Sequence, residues 1–115
     1  MAATVFRELP QPGRDSIYLV TVLAALADPV RLTLMRTMAA RNGPTECSAV
    51  SETVEVSAPT VSHHYRVLRE AGLTTTTVEG RKRVIRIRYE DLEARFPGLL
   101  GAVLAPPPSP TPDAP

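Results

Sequence analysis

The 115-residue sequence contains no tryptophan, one cysteine, one lysine and few aromatic residues, 4% in all. A single thiol, Cys47, excludes an intramolecular disulfide and most thiolate metal cages, and it fits a reducing cytoplasm. So few aromatic rings argue against a base-stacking or carbohydrate-binding platform. Long hydrophobic runs are also missing. The best candidate, Ile17 to Ala27, is interrupted by Thr21 and covers about half of the roughly 20 residues that cross a membrane, so no membrane partner is expected. Met1 to Pro12 includes Arg7 and Glu8 but no apolar stretch followed by a small-residue cleavage site, so export is not expected either. There is no Gly-rich phosphate loop, no Gly-x-Ser-x-Gly and no His-Glu-x-x-His, which leaves an enzyme without machinery.

What is present is ordinary globular composition, 43% hydrophobic and 22% charged, in a length that suits one domain. The net charge of +1 hides an uneven distribution. Between Ser57 and Arg88 stand seven basic residues (Arg66, Arg69, Arg81, Lys82, Arg83, Arg86 and Arg88) against two acidic ones, Glu70 and Glu79, so that the rest of the chain is net acidic. A basic segment of this kind marks a face for an anionic partner, of which nucleic acid is the commonest, or else a solvated charged surface.

Punctuation along the chain divides it into three parts. Residues 1–14, with Pro10, Pro12 and Gly13, read as an irregular arm. Residues 105–115 hold six of the twelve prolines and read as a disordered, partly polyproline tail. The folded domain is then 15–104. Asp15 or Ser16 is placed to cap a helix through Ala27 whose apolar residues lie on more than one face, as in a helix buried between two subunits or at the centre of a monomer. Asp28-Pro29 starts a second helix, which runs to Asn42-Gly43-Pro44 with Val30, Leu34 and Met38 in register. A short helix follows, Cys47 to Val54, presenting Val50 and Val54.

The segment from Ser57 to Gly72 is the most informative. Ser57 is an N-cap, Pro59 is tolerated in the first turn, and Gly72 stands where a helix ends. At 100° per residue, Val61, Tyr65, Leu68 and Gly72 share an inward stripe, whereas Pro59, Ser62, His63, Arg66 and Glu70 point outward. Leu73 to Val78 and Arg83 to Tyr89 then form strands joined by the polar turn Glu79-Gly80-Arg81-Lys82, a β-hairpin with a basic tip. Glu90-Asp91 opens a last helix through Leu104, broken near Phe96 by Pro97 and Gly98. The fold expected from this order is mainly α with a two-stranded hairpin, a winged helix-turn-helix, in which the outward face of one helix enters the DNA major groove and the hairpin straddles a neighbouring groove.

Leu26-Ala-Asp-Pro-Val-Arg-Leu32, Ser57-Ala-Pro-Thr-Val-Ser-His-His64, Val67-Leu-Arg-Glu-Ala-Gly-Leu73 and Glu79-Gly-Arg81, in this order, resemble the ArsR/SmtB family of bacterial transcriptional repressors. The resemblance spans residues 15–104. It implies a cytoplasmic homodimer, built mainly from the first and last helices, that binds a palindromic double-stranded DNA operator and releases it when a small-molecule, metal or protein effector arrives. The family's metal sensors carry Glu-Leu-Cys-Val-Cys-Asp-Leu in the short helix. Here the two cysteine positions fall on Glu46 and Ser48, with Cys47 between them, so that motif is broken. Of a second family site on the last helix only Asp91 and Glu93 remain, as weak ligand candidates for nickel or zinc, and no cofactor is otherwise evident.

The candidate DNA-binding residues are accordingly Ser57, Pro59, Thr60, Ser62, His63, His64, Arg66, Arg81, Lys82 and Arg83. Arg66 carries a planar fork that matches guanine and phosphate alike, against the alternative of an ion pair with Glu70 one turn on. His63 points outward. His64 lies at the margin of the buried stripe, where DNA contact and packing against the short helix are both open. Adjacent histidines diverge by 100° on a helix, so the pair does not chelate one ion. Arg81, Lys82 and Arg83 suit phosphate or minor-groove contact, or simply a soluble hairpin tip. A protein-binding winged helix without DNA affinity is the alternative function.

Overall fold

In the computed structural model, which describes residues 6–105, the chain forms β1 (Phe6–Glu8), a 3-10 turn (Arg14–Ser16), α1 (Leu19–Leu26), α2 (Pro29–Arg41), β2 (Thr45–Glu46) and α3 (Cys47–Ser51). It continues through α4 (Ala58–Glu70), β3 (Thr74–Glu79), β4 (Lys82–Ile87), α5 (Tyr89–Arg95) and α6 (Leu99–Leu104). The proline run expected at the carboxyl end, from Pro106 on, lies outside the described residues. The arrangement is the winged helix-turn-helix expected, α3 and α4 forming the helix-turn-helix and the β3–β4 hairpin the wing. Among the described residues no helix is long and apolar enough to cross a membrane.

Local chemistry explains the strongest boundaries. The Asp28 carboxylate accepts the amides of Val30 and Arg31 at 2.9 and 3.0 Å, and Pro29 occupies the first helical position, where an amide would have no partner. α2 ends at Asn42 in the left-handed conformation, φ 54°. Ser57 Oγ accepts the Thr60 amide at the start of α4, and Gly72 follows its end at φ +89°. A β-carbon on Gly72 would lie 2.6 Å from Cγ1 of the fully buried Ile17, so this turn needs glycine for both conformation and space. In the wing, Gly80 takes φ +65° at the first of two loop residues while Arg81 does not, the pattern of a II′ turn.

The core gathers Ile17, Val22, Leu34, Met35, Val50, Leu68, Leu73, Ile85 and Leu92 from nearly every element. Each such side chain contributes about 1.5–3 kcal/mol of burial. Thr74 and Thr76 lie on the core face of β3, paired with Ile87 and Ile85, and are buried with no hydrogen-bond partner for either hydroxyl.

Four expectations change. The first helix does not start at Asp15 or Ser16: the chain stays extended at Ile17, whose side chain is buried and whose carbonyl accepts Arg95 Nη2 at 2.7 Å, and α1 begins at Leu19 with no side-chain cap. The short helix stops at Ser51, because the amides of Thr53 and Val54 bond three residues back and Thr53 Oγ1 also donates to the Val50 carbonyl. The last helix breaks where Pro97 and Gly98 predict, but neither Glu90 nor Asp91 caps it; Arg88 is the residue before α5. Finally, the arm at 1–14 is not irregular throughout. β1 pairs antiparallel with the outer edge of β3, Arg7 opposite Val78, making a four-stranded sheet in the order β1-β3-β4-β2 instead of a two-stranded hairpin. An open strand edge has unpaired amides and carbonyls, and the ladder extends to Leu9, whose amide donates to the Thr76 carbonyl at 2.8 Å.

Candidate nucleic-acid interface

α4 turns Tyr65 and Leu68 into the core and leaves Pro59, Thr60, Ser62, His63, Arg66 and Glu70 exposed. Ser57 and Thr60 share a hydroxyl hydrogen bond of 2.8 Å at the cap, so each is partly committed to starting the helix. One turn on, Arg66 Nη2 donates to His63 Nδ1 at 3.1 Å. A guanidinium has only donors, so His63 accepts at Nδ1 and carries its hydrogen at Nε2. The result is an exposed pair of donors, the His63 Nε2–H and the remaining guanidinium edge of Arg66. Arg66 makes no ion pair with Glu70 among the described residues.

His64 does not belong to this face. It is 9% exposed, and its Nδ1 lies 3.1 Å from Nη1 of Arg31 on α2, so it packs against the second helix and not against the short one. Arg31 also donates to the Ala25 carbonyl at 2.6 Å and to that of Ala24 at 3.5 Å, closing the carboxyl end of α1. Arg31 is not among the residues that the sequence singles out. The Asp-Pro-Val-Arg run contains it, and a half-buried arginine just after an N-cap is the only signal it gives.

Tyr65 fastens α4 to α3. Its hydroxyl donates to the Cys47 carbonyl at 2.9 Å and lies 2.7 Å from Ser51 Oγ, while burial pushes its pKa up to about 12. Burial likewise pushes the Cys47 thiol up to about 11, which leaves it protonated and a poor nucleophile near neutral pH. Cys47 lines a cavity of about 160 Å³ between the helices and the wing, together with Ser62, Tyr65 and Arg83.

In the wing, Arg81, Lys82 and Arg83 are exposed. Lys82 Nζ lies 3.3 Å from Glu46 Oε1, whereas Arg81 and Arg83 enter no ion pair among the described residues. The basic count overstates the charge of this face. Arg69 Nε donates to the Pro10 carbonyl at 3.1 Å, and the Arg88 side chain is 7% exposed, donating to the Pro12 carbonyl and to Asp91. Both arginines hold the N-terminal segment against the domain.

Asp91 and Glu93 are likewise engaged. Asp91 Oδ1 accepts Arg14 Nε at 2.7 Å and Oδ2 accepts Arg88 Nε at 3.0 Å. Arg14, and after it Arg88, holds the Asp91 carboxyl below its ordinary range. Glu93 Oε2 accepts the Gly98 amide at the start of α6. No group of three His, Cys, Asp or Glu side chains converges among the described residues, so the weak ligand pair has no third donor in its own chain.

Residues 26–77 match a family model described as a helix-turn-helix domain. The chain is 33% identical over 79 residues to YceK of Bacillus subtilis, an uncharacterised HTH-type transcriptional regulator, an alignment covering 69% of this chain and 79% of that protein. Among solved structures it resembles an ArsR family transcriptional regulator, with TM-score 0.61 and 26% identity over 73% of this chain and 84% of the other. It also shares the fold of the transcriptional repressor BigR from Xylella fastidiosa, with TM-score 0.57 and 23% identity over 77% and 88% of the two chains.

Proposed function

Since the chain belongs to the ArsR family of DNA-binding winged helix-turn-helix transcriptional regulators, we propose that it is a homodimeric repressor that reads a palindromic operator and leaves it when an effector binds. α4 enters the major groove, where Arg66 and His63 meet base edges and Ser57, Pro59, Thr60 and Ser62 lie along the backbone. Arg81 and Arg83 meet phosphate or the minor groove from the wing, with Lys82 shared between DNA and Glu46. The observation that carries this reading is the exposed Arg66–His63 donor pair on α4, which has no carboxylate neighbour bonded to it and stands beside a wing with two uncommitted arginines.

Dimerisation rests on α1. Tyr18, Leu19, Val20 and Leu23 are 62, 44, 79 and 44% exposed, an apolar stripe beside the buried Val22, Ala25 and Leu26. A second copy is the occupant that the helix's two-sided apolar pattern fits, and it sets two α4 helices about 34–36 Å apart, one turn of DNA. The effector is a small molecule, a protein or a divalent metal; for a metal, Asp91 and Glu93 would first have to release Arg14, Arg88 and the Gly98 amide.

Titration of the full chain against duplex DNA at several salt concentrations, with sedimentation of the free protein, tests the reading. A binding constant that falls with salt, and a dimer at micromolar concentration, are expected. A monomer that ignores DNA at low salt would leave the protein-binding alternative in place.

A further inference from the structure

We propose that β1 is part of the DNA-binding wing and that Arg7 on it contacts a phosphate, an inference that rests on the DNA-binding reading above. Side chains alternate across a sheet, and paired residues share a face. Arg7 pairs with Val78, which pairs with Arg83; Thr76 and Thr45, both paired with Ile85, continue the same face toward the core. Arg83 on this face lines the cavity beside Ser62 of α4, so this is the side of the wing that looks toward the groove-entering helix. Phe6, Glu8, Glu79, Lys82, Glu46 and Arg86 fall on the opposite face.

The alternation therefore sorts charge. The face toward α4 carries Arg7 and Arg83 and no carboxylate, whereas the far face carries three carboxylates against one lysine and one arginine. Arg7 is exposed and enters no ion pair among the described residues. Position is not left to a loose arm. Leu9 continues the ladder to Thr76, Arg69 and Arg88 bond the Pro10 and Pro12 carbonyls, and Arg14 pairs with Asp91. Pinned at these points, β1 holds Arg7 one strand away from Val78, two residues before the Gly80 turn.

The test measures binding of the full-length chain to a random-sequence duplex of about 30 base pairs, by fluorescence anisotropy across a salt series, because a phosphate contact is independent of sequence. Arg7→Ala is expected to weaken binding a few-fold and to reduce the log–log salt slope by about 0.9, with Arg7→Lys keeping the slope. Glu8→Gln, one residue away on the other face, is expected to leave the slope unchanged. Circular dichroism confirms that each variant is folded. If Arg7→Ala keeps the wild-type slope while Arg83→Ala lowers it, Arg7 makes no contact and the inference fails although the DNA-binding reading survives. An equal and opposite response to Glu8→Gln would also overturn it, by showing a diffuse field in place of a contact. Wild-type protein that binds no duplex would sink the underlying reading itself.

Discussion

Arg31 and His64 lie 3.1 Å apart, guanidinium to ring nitrogen, and through this pair the carboxyl end of α1 is tied to the middle of α4. Arg31 is a positioning residue: it faces no DNA, yet it fixes the helix that does. Arg31→Ala should lower stability by about 1.5–3 kcal/mol, the range for hydrogen bonds to a charged group. Combined with His64→Ala in a double-mutant cycle, it should show a coupling of at least about 0.5 kcal/mol. Arg31→Lys should not restore stability, since an ammonium cannot reach the Ala25 carbonyl and the His64 ring with one planar fork. Urea unfolding measures all three, and strictly additive losses would separate the two residues.

Gly72→Ala should be among the most destabilising small changes in the chain. The substitution places an L-residue at φ +89° and drives a methyl to 2.6 Å from buried Ile17. The loss should exceed the roughly 1 kcal/mol that conformation alone accounts for. An unfolding midpoint at the wild-type value would mean that the turn relaxes freely.

Thr74→Val should have the opposite sign. The Thr74 hydroxyl is buried without a partner, and valine keeps the branched shape that suits β3. Removing an unsatisfied buried hydroxyl recovers about 1 kcal/mol. A lower unfolding midpoint would show that the hydroxyl is bonded after all.

These positions also mark what the sequence can reveal. Asp28-Pro29, Ser57 with Pro59, Gly72 and Gly80 each announce a boundary by local chemistry, and all four stand where expected. The missed features depend on partners far along the chain. β1 has three residues, too few for a period, and forms only because β3 offers an open edge about 70 positions away. Asp15 looks like a cap until Ile17 has to be buried beneath Gly72. Arg69 and Arg88 count as positive charge in any composition, but backbone carbonyls of Pro10 and Pro12 absorb their donors. His64 sits at a margin of the helical wheel that only Arg31 resolves.

Acid should loosen the N-terminal segment before it unfolds the rest. Arg14 first, and Arg88 with it, lower the Asp91 pKa below its ordinary 3.8; the Arg31 amide does the same for Asp28. A carboxylate with a depressed folded pKa contributes stability that is fully present above the unfolded value and is lost as pH falls through the folded one. Stability should therefore hold from neutrality down to about pH 4 and decline below it. Asp91→Asn should lower stability at neutral pH and flatten that acid limb. Parallel wild-type and variant curves of urea midpoint against pH would show that the two arginines do not sense the carboxylate's charge.

Helix and wing should separate in their effect on sequence preference. Arg66 and His63 present directional donors on the groove-facing side of α4, and removing a bidentate base contact costs about 1–3 kcal/mol at the position it reads. Arg66→Ala and His63→Ala should therefore weaken operator binding and relax preference at particular bases. The pair is also coupled: without the Arg66 donor, His63 Nδ1 is no longer constrained to accept, so Arg66→Ala should remove part of the His63 contribution and the double variant should lose less than the two singles added. Arg81 and Arg83 act by charge. Their neutralisation should weaken binding to all sequences alike and reduce the salt slope by about 0.9 for each phosphate no longer neutralised. Selection of preferred sites from a random duplex pool, run beside salt titrations for each variant, distinguishes the two. Wing variants that changed the selected sequence while keeping the wild-type slope, with α4 variants doing the reverse, would exchange the roles assigned here.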